Sequence, residues 1–235
     1  MSSNVKKNQE DLAQDAIDTH IYHAIVDAIL NRQLTAGTRL VEAPLCQAFG
    51  VTRGVLRRAF VKLAHDNVIE IQPNRGALIA QYSAEEMREV FEARSMLEIA
   101  TVRKLAQKAS QIDFSPLHTL VEQEAQQRRA GNWREWIKLS GEFHLKLIEA
   151  NNNTILSGYL QTLIARTSLL IGLYEIPKQD HCALDEHRAI LDAIERGDEL
   201  QAVQLMQHHL EEYAHILLQE PLASTDVDLI KIFAK

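Results

Sequence analysis

The sequence has few cysteine, glycine and proline residues, and it has no long apolar run. Of its 235 residues, 2 are Cys, 9 are Gly and 5 are Pro. Cys46 and Cys182 lie far apart and form no disulfide framework, and so little Gly and Pro excludes collagen-like and low-complexity chains. No apolar segment approaches the ~20 residues of a membrane-spanning helix, and the polar start MSSNVKKNQEDLAQD lacks the apolar core of a secretory signal. We therefore expect a globular, cytoplasmic protein with no membrane partner.

A net positive charge is also lacking, which on its own disfavours a nucleic-acid partner. The formal net charge is −7, but it is unevenly distributed. Residues 1–80 carry nine Lys/Arg and eight Asp/Glu, a net charge of +1, whereas residues 81–235 carry 16 and 24, a net charge of −8. Between Val51 and Leu63 there are four basic residues and no acidic one. The charge pattern therefore permits local nucleic-acid binding in the first part of the chain.

The first 80 residues predict three helices followed by a β-hairpin, the order of a winged helix-turn-helix. Gly50 is suited to ending the second helix, and Thr52 is suited to capping the third. The turn between the two strands has the composition Pro73-Asn74-Arg75-Gly76. The expected elements are helices at about 11–31, 42–49 and 53–65 and strands at about 68–72 and 77–80.

After Ser83 only helical periodicity remains. Ser83-Ala84-Glu85-Glu86 has the form of a capping box, and the later breaks are short, as in an antiparallel helical bundle. The predicted fold is therefore mainly α, with a winged helix-turn-helix DNA-binding domain at 1–80 and an all-α effector-binding and dimerisation domain at 83–235. The expected helices of the bundle lie at about 83–108, 116–130, 133–150, 155–174, 184–196 and 199–218.

The third helix combines an apolar back with a basic front. Arg53 and Arg57 are four residues apart and share one face, and Arg58 and Lys62 form a second basic row beside them. Arginine can donate two hydrogen bonds to guanine O6 and N7 and also binds phosphates, so this face suits a major groove. The alternative is an ordinary solvated charged face. The apolar back consists of Leu56, Phe60 and Leu63.

Two further positions extend the predicted DNA contact. Thr52, at the start of the helix, can offer its hydroxyl or backbone N–H to a phosphate. Arg75, at the tip of the hairpin, can reach an adjacent groove or the DNA backbone.

A longer motif pattern surrounds this helix between Leu34 and Ala80. It contains a Gly-x-Arg-Leu-x-Glu stretch, the run GVTR with an Arg-x-Ala pair after it, and an Asn-Arg-Gly turn. The segment resembles the winged-helix domain of GntR-type transcription regulators. The resemblance implies a homodimer that binds a palindromic operator in double-stranded DNA. Together with the basic helix it assigns the DNA contacts to Arg39, Thr52, Arg53, Gly54, Arg57, Arg58, Asn74, Arg75 and Gly76.

The segment departs from the family pattern at three places. Ala36 replaces the usual proline, and Gly54-Val55 replaces the usual Thr-Pro. Ala43-Pro44 stands where an arginine often contacts DNA. These changes bear on the operator sequence more than on binding itself.

Three histidines of the bundle are spaced so that they can meet. His187 lies ten residues before Gly197 and His209 lies twelve after it, which is about 15 and 18 Å along two antiparallel helices. His144 lies in the middle of a third helix. Three imidazoles at one interior point would suit a transition metal with an open coordination position. The alternative is that each histidine packs or hydrogen-bonds structurally.

The sequence around these histidines resembles the FCD ligand-binding domain of the FadR-type GntR subfamily. The relevant segments are EFHLKLIEANNN and EHRAILDAIERGDELQAVQLMQHHL. The resemblance maps His144, His187 and His209 onto the histidines that commonly bind a divalent metal, here Zn or Ni. Ser140 replaces the expected aspartate ligand, which argues for a weaker site, and some members of the subfamily bind an organic ligand without metal.

Arg94 is the other residue that the resemblance assigns to the effector. In the family, an arginine at this position of the first bundle helix often points into the effector cavity, where it would suit a carboxylate. The alternative is an ion pair with Glu98, four residues on. The predicted effector-binding residues are Arg94, Ser140, His144, His187 and His209.

The sequence as a whole therefore predicts a ligand-responsive transcription regulator, by family habit a repressor, and not an enzyme. Its effector is expected to be a small organic acid. Two alternatives remain open: a metal-dependent hydrolase built on the three histidines, and a DNA-binding protein without an effector.

Overall fold

We describe a computed structural model that covers residues 2–73, 75–174, 186–217 and 227–234. These residues form two units. One contains the described residues up to Gln81 together with 227–234, and the other runs from Tyr82 to 217. The mainly helical fold predicted from the sequence is confirmed, with a small sheet confined to the first unit. No helix in the described ranges is long and apolar enough to cross a membrane.

The first unit is a winged helix-turn-helix. Fully buried apolar side chains from all three of its N-terminal helices form its core, among them Ile21, Leu45 and Phe60. Its elements are α1 (Ser2–Leu30), β1 (Arg39–Leu40), α2 (Glu42–Phe49), α3 (Arg53–His65), β2 (Ile69–Gln72) and β3 (Gly76–Ile79).

The wing is an antiparallel sheet with strand order β1-β3-β2. The sequence predicted the hairpin β2–β3 but not β1, which is only 2 residues long and therefore shows no alternation. Gly76 has a φ of 85°, and a Cβ there would lie 2.4 Å from the carbonyl oxygen of Leu40. Only glycine fits where β3 passes β1 this closely.

The end of the chain belongs to the first unit. Helix α10 (Leu229–Phe233) packs against α2, with Leu229 buried and the rings of Phe233 and Phe49 centred 5.0 Å apart. The sequence-based domain 83–235 placed this segment with the bundle, so that boundary is corrected here. The physical reason is that the apolar side chains of α10 find their partners on α2.

The second unit consists of helices packed side by side. Helix α4 packs against α6, α7, α8 and α9, and it begins with the predicted capping box, in which Ser83 N donates to Glu86 at 2.8 Å. The helices are α4 (Ala84–Gln107), α5 (Ser115–Arg129), α6 (Trp133–Ala150), α7 (Thr154–Tyr174), α8 (Glu186–Glu195) and α9 (Glu199–Leu217).

Candidate functional site

The N-terminal end of α3 presents its predicted DNA-contacting groups to solvent. Thr52 adopts the extended backbone of an N-cap, yet its hydroxyl makes no capping hydrogen bond in the described part of the chain. Arg53 is exposed and has no hydrogen bond or ion pair to another described residue. Gly54 is exposed beside them. These groups are therefore available to a phosphate or a base edge.

Arg57 is exposed, but its guanidinium is held in place by an acidic residue of α2. Its guanidinium donates from Nε to Oε1 of Glu42 at 2.7 Å and from Nη2 to Oε2 at 3.1 Å. Hydrogen bonding by Arg57 holds the pKa of Glu42 below its ordinary value. Sequence reasoning did not find this contact, because the two residues lie 15 positions apart on different helices. Glu42 therefore positions Arg57, and it would compete for the DNA contact predicted for Arg57.

The second basic row of α3 faces α1. Arg58 donates to both carboxylate oxygens of the buried Asp18, at 3.0 and 3.3 Å, and Lys62 lies 3.4 Å from Asp15. Arg58 and Lys62, which were placed in the basic front of the helix only because of their charge, therefore both have acidic partners within the chain. The DNA contact assigned to Arg58 stays a prediction, and it would have to compete with the Asp18 ion pair.

The remaining predicted DNA contacts lie at the wing. Arg39 and Arg75 are both exposed, and Nη2 of Arg39 donates to the carbonyl oxygen of Arg75 at 3.4 Å. Gly76 follows at the start of β3. Asn74 lies outside the described residues. The sheet thus brings Arg39, distant in sequence, beside the hairpin tip.

The three bundle histidines meet in the second unit. His144 on α6, His187 on α8 and His209 on α9 are 1%, 4% and 4% exposed. The Nε2 atoms of His187 and His209 lie 3.1 Å apart, and those of His209 and His144 lie 3.3 Å apart. The geometric prediction that these residues come together is therefore correct, and it depends on the α8–α9 hairpin around Gly197.

Each of the three rings binds a carboxylate through its other nitrogen. Nδ1 of His144 contacts Glu98 at 2.5 Å, that of His187 contacts Glu124 at 2.6 Å, and that of His209 contacts Glu186 at 2.6 Å. In the neutral ring this bond places the proton on Nδ1 and leaves a lone pair on Nε2. Sequence reasoning missed Glu124 and Glu186, since nothing in local spacing links them to their histidines.

The nitrogen cluster fits a divalent transition metal. Three nitrogens ~2.1 Å from one Zn²⁺ lie about 2.9–3.4 Å from each other, for bond angles between 90° and tetrahedral. The two Nε2 separations above fall in that range, and without a cation the facing lone pairs would repel. Ser140, buried one turn before His144 on α6, offers no carboxylate. The protein donors in the described chain are therefore the three imidazoles alone.

Burial keeps two of these histidines, His144 and His209, in the form that binds metal. It lowers the pKa of His144 well below its ordinary value, and the nearby Arg94 adds to that shift. The pKa of His209 is also lowered, chiefly by burial, although hydrogen bonding to Glu186 opposes the shift. Both rings are therefore neutral near pH 7, and protons do not compete for their nitrogens.

Arg94 lies next to this cluster, and only some of its hydrogen-bond donors have partners. It is 3% exposed, its Nε pairs with Glu98, and its Nη1 donates to Oγ1 of Thr167 at 2.8 Å. The ion pair that the sequence offered as an alternative is therefore present. Nη2 is buried and has no hydrogen-bond partner among the described residues. One buried donor thus remains for a ligand.

Comparison with known proteins identifies a family for each of the two units. Residues 17–79 match the gntR family of bacterial regulatory proteins, and residues 89–212 match the FCD domain. The transcriptional regulator YdhC of Bacillus subtilis (strain 168) is 26% identical over 206 residues, covering 83% of this chain and 90% of that protein. The transcriptional repressor RspR of Escherichia coli (strain K12) is 25% identical over 207 residues, covering 86% and 90%.

Solved structures share the fold. A GntR transcriptional regulator from Rhodococcus sp. RHA1 superposes with a TM-score of 0.75 at 24% identity, covering 86% of this chain and 97% of that one. Escherichia coli McbR/YncC gives a TM-score of 0.70 at 18% identity, with the same coverage.

A winged helix-turn-helix with exposed arginines, joined to a helical unit with a buried histidine cluster, is the architecture of the regulators just described. The chain belongs to the gntR family of bacterial regulatory proteins and carries the FCD domain of that family. The hydrolase alternative is set aside on this ground.

Proposed function

We propose that this chain is a metabolite-responsive repressor whose operator affinity is controlled by a small carboxylate bound beside a divalent metal in the bundle. The observation that carries the proposal is the convergence of three Nε2 atoms next to a buried arginine with an unused donor. A carboxylate complements both a metal and a guanidinium.

The DNA half of the proposal is a homodimer on a palindromic operator. Two recognition helices related by a two-fold axis require two half-sites with the same symmetry. Helices α4 and α7, which pack against each other, each expose large apolar side chains: Met96 on α4, and Ile155 and Tyr159 on α7. Such exposed side chains support association of two copies through these helices.

In the proposed metal site, the ligands of Zn or Ni are His144, His187 and His209, and Ser140 lines the site. When bound, the metal supplies a positive charge and open coordination positions for an anionic ligand. Arg94 would receive a carboxylate on its free Nη2. Glu98, Glu124 and Glu186 fix the rings through Nδ1, which orients Nε2 toward the common point.

The chain itself offers a route from this site to the DNA-binding unit. Helix α4 carries Arg94 and Glu98, and it begins at Ala84, just after the N-terminal segment of the first unit ends at Gln81. An effector that binds one arrangement of α4 better than another shifts the populations of DNA-competent and incompetent dimers. Repression as the output is supported by relatives named as repressors, RspR among them.

The proposal is tested with operator duplexes selected from a random pool by the full-length protein. Removing metal with a chelator, or adding members of a panel of small organic acids, should change the operator Kd about tenfold or more in at least one case. Arg94→Lys keeps the charge but loses the free Nη2 donor, so it should abolish the response to the acid.

The matched control is Arg188→Lys, which alters an exposed ion pair with Glu122 and should leave the response intact. An operator Kd unmoved by metal removal and by every acid would contradict the proposal. That result would instead support the alternative of a DNA-binding protein without an effector.

A further inference from the structure

Glu98 differs from Glu124 and Glu186 because one of its two partners in the described chain is a guanidinium. It is 1% exposed, and its Oε1 pairs with Nε of Arg94 while its Oε2 contacts Nδ1 of His144 at 2.5 Å. One buried carboxylate thus connects the arginine that has a free donor to one of the three converging rings.

Glu124 provides the natural comparison. It is 7% exposed and holds Nδ1 of His187 at 2.6 Å, with no guanidinium bound to it among the described residues. Both carboxylates therefore orient a ring in the same way, but only Glu98 can transmit a change from the ring to Arg94. Arg94 is also held by Thr167, whose Oγ1 accepts a hydrogen bond from Nη1 at 2.8 Å.

We propose that Glu98 is a positioning residue that couples metal binding at the tri-histidine site to the affinity of Arg94 for a carboxylate. The inference rests on the metal site of the proposed function. A metal on Nε2 of His144 makes the Nδ1–H a stronger donor, so the Glu98 carboxylate binds it more tightly. Its bond to Arg94 weakens in return, and the guanidinium becomes freer to bind an anion.

The coupling is reciprocal by thermodynamic necessity. If metal increases the affinity of Arg94 for a carboxylate through Glu98, the carboxylate increases the affinity for metal by the same factor. A purely structural ion pair between Arg94 and Glu98 would stabilise the fold but would not change when metal binds. The two interpretations therefore differ in one observable, the response of the Arg94 guanidinium to metal.

The test follows the Nε–H signal of Arg94 in ¹H–¹⁵N spectra of the full-length protein, assigned with Arg94→Lys, during titration with Zn²⁺ alone. The signal should shift in proportion to the bound Zn²⁺ measured by calorimetry. In Glu98→Gln it should stay in place even when Zn²⁺ is saturating. In the matched control Glu124→Gln it should still shift, although both variants should bind Zn²⁺ about 10–100-fold more weakly.

The outcomes separate this inference from the proposed function. Bound Zn²⁺ with an unmoved Arg94 signal in the unaltered protein would overturn the coupling but keep the metal site. A shift of equal size in Glu98→Gln would also overturn it. No Zn²⁺ binding at all would remove both the metal site and the coupling. If Glu98→Gln fails to fold, the titration of the unaltered protein decides.

Discussion

The Nε2 atoms of His187 and His209 face each other at 3.1 Å, although each ring already binds a carboxylate on its opposite side. Two neutral rings in this state would present lone pairs to each other, an arrangement that a shared cation stabilises. The third ring, His144, completes the cluster at 3.3 Å from His209. This geometry supports the proposed cation site over a packed histidine core.

The first prediction concerns the pH dependence of the metal-free protein. The folded pKa of His209 lies below its unfolded value, because burial disfavours the charged ring. The unfolded chain therefore binds more protons, and the free energy of unfolding should fall as pH drops below the ordinary histidine pKa of about 6.5. Urea unfolding in the presence of a chelator, between about pH 8 and pH 5, measures it.

His209→Asn should flatten this profile, whereas the same change at the exposed neighbour His208 should not. Equal profiles for the two variants would show that His209 is not held neutral by the fold.

The second prediction separates the two basic rows of α3. Arg53→Ala removes an exposed cation with no described intramolecular partner, so operator binding should weaken by about 1–3 kcal/mol. Arg58→Ala should mainly lower the stability of the first unit, because the buried Asp18 loses its partner. Operator titration and thermal unfolding of both variants distinguish the effects. Unchanged operator binding by Arg53→Ala would refute its assignment to the recognition surface.

The third prediction concerns Glu42, which holds Arg57 by two hydrogen bonds. Glu42→Gln should release the guanidinium and remove a negative charge near the DNA. Binding to non-specific DNA should then strengthen at low salt, and the slope of log K against log salt should steepen by about 0.9 for each additional phosphate that the protein neutralises. The control Glu70→Gln changes an exposed acid on β2. The same slope in both variants would mean that Glu42 does not restrain Arg57.

The fourth prediction tests the placement of α10. Phe233→Ala removes the ring that lies 5.0 Å from Phe49, an aromatic pair worth about 0.5–1.5 kcal/mol beyond buried area. Hydrogen exchange of the α2 amides should therefore become faster, while Lys231→Ala, an exposed position on the same helix, should have little effect. Unchanged exchange in Phe233→Ala would indicate that α10 does not support α2.

Local patterns predicted most of the fold and the cluster of histidines. The capping box at Ser83, the glycine after α2 and the apolar stripe of α3 each depend on residues close in sequence. His187 and His209 could be paired because one tight turn separates their helices, so that counting residues fixes their relative height.

Contacts between distant elements could not be predicted in this way. Glu124 lies 63 positions from His187, and Asp18 lies 40 positions from Arg58, so neither partner leaves a periodic signal. The placement of α10 was wrong for the same reason. Its apolar residues show that the segment packs somewhere, but only the folded chain shows that the partner is α2.

The most direct test of the tri-histidine metal site is the metal content of the full-length protein purified after growth with added zinc and nickel. Elemental analysis should find about one equivalent of Zn or Ni per chain, lost in His187→Ala and retained in His208→Ala. The same absence of metal in the unaltered protein and in His187→Ala would contradict a tri-histidine metal centre.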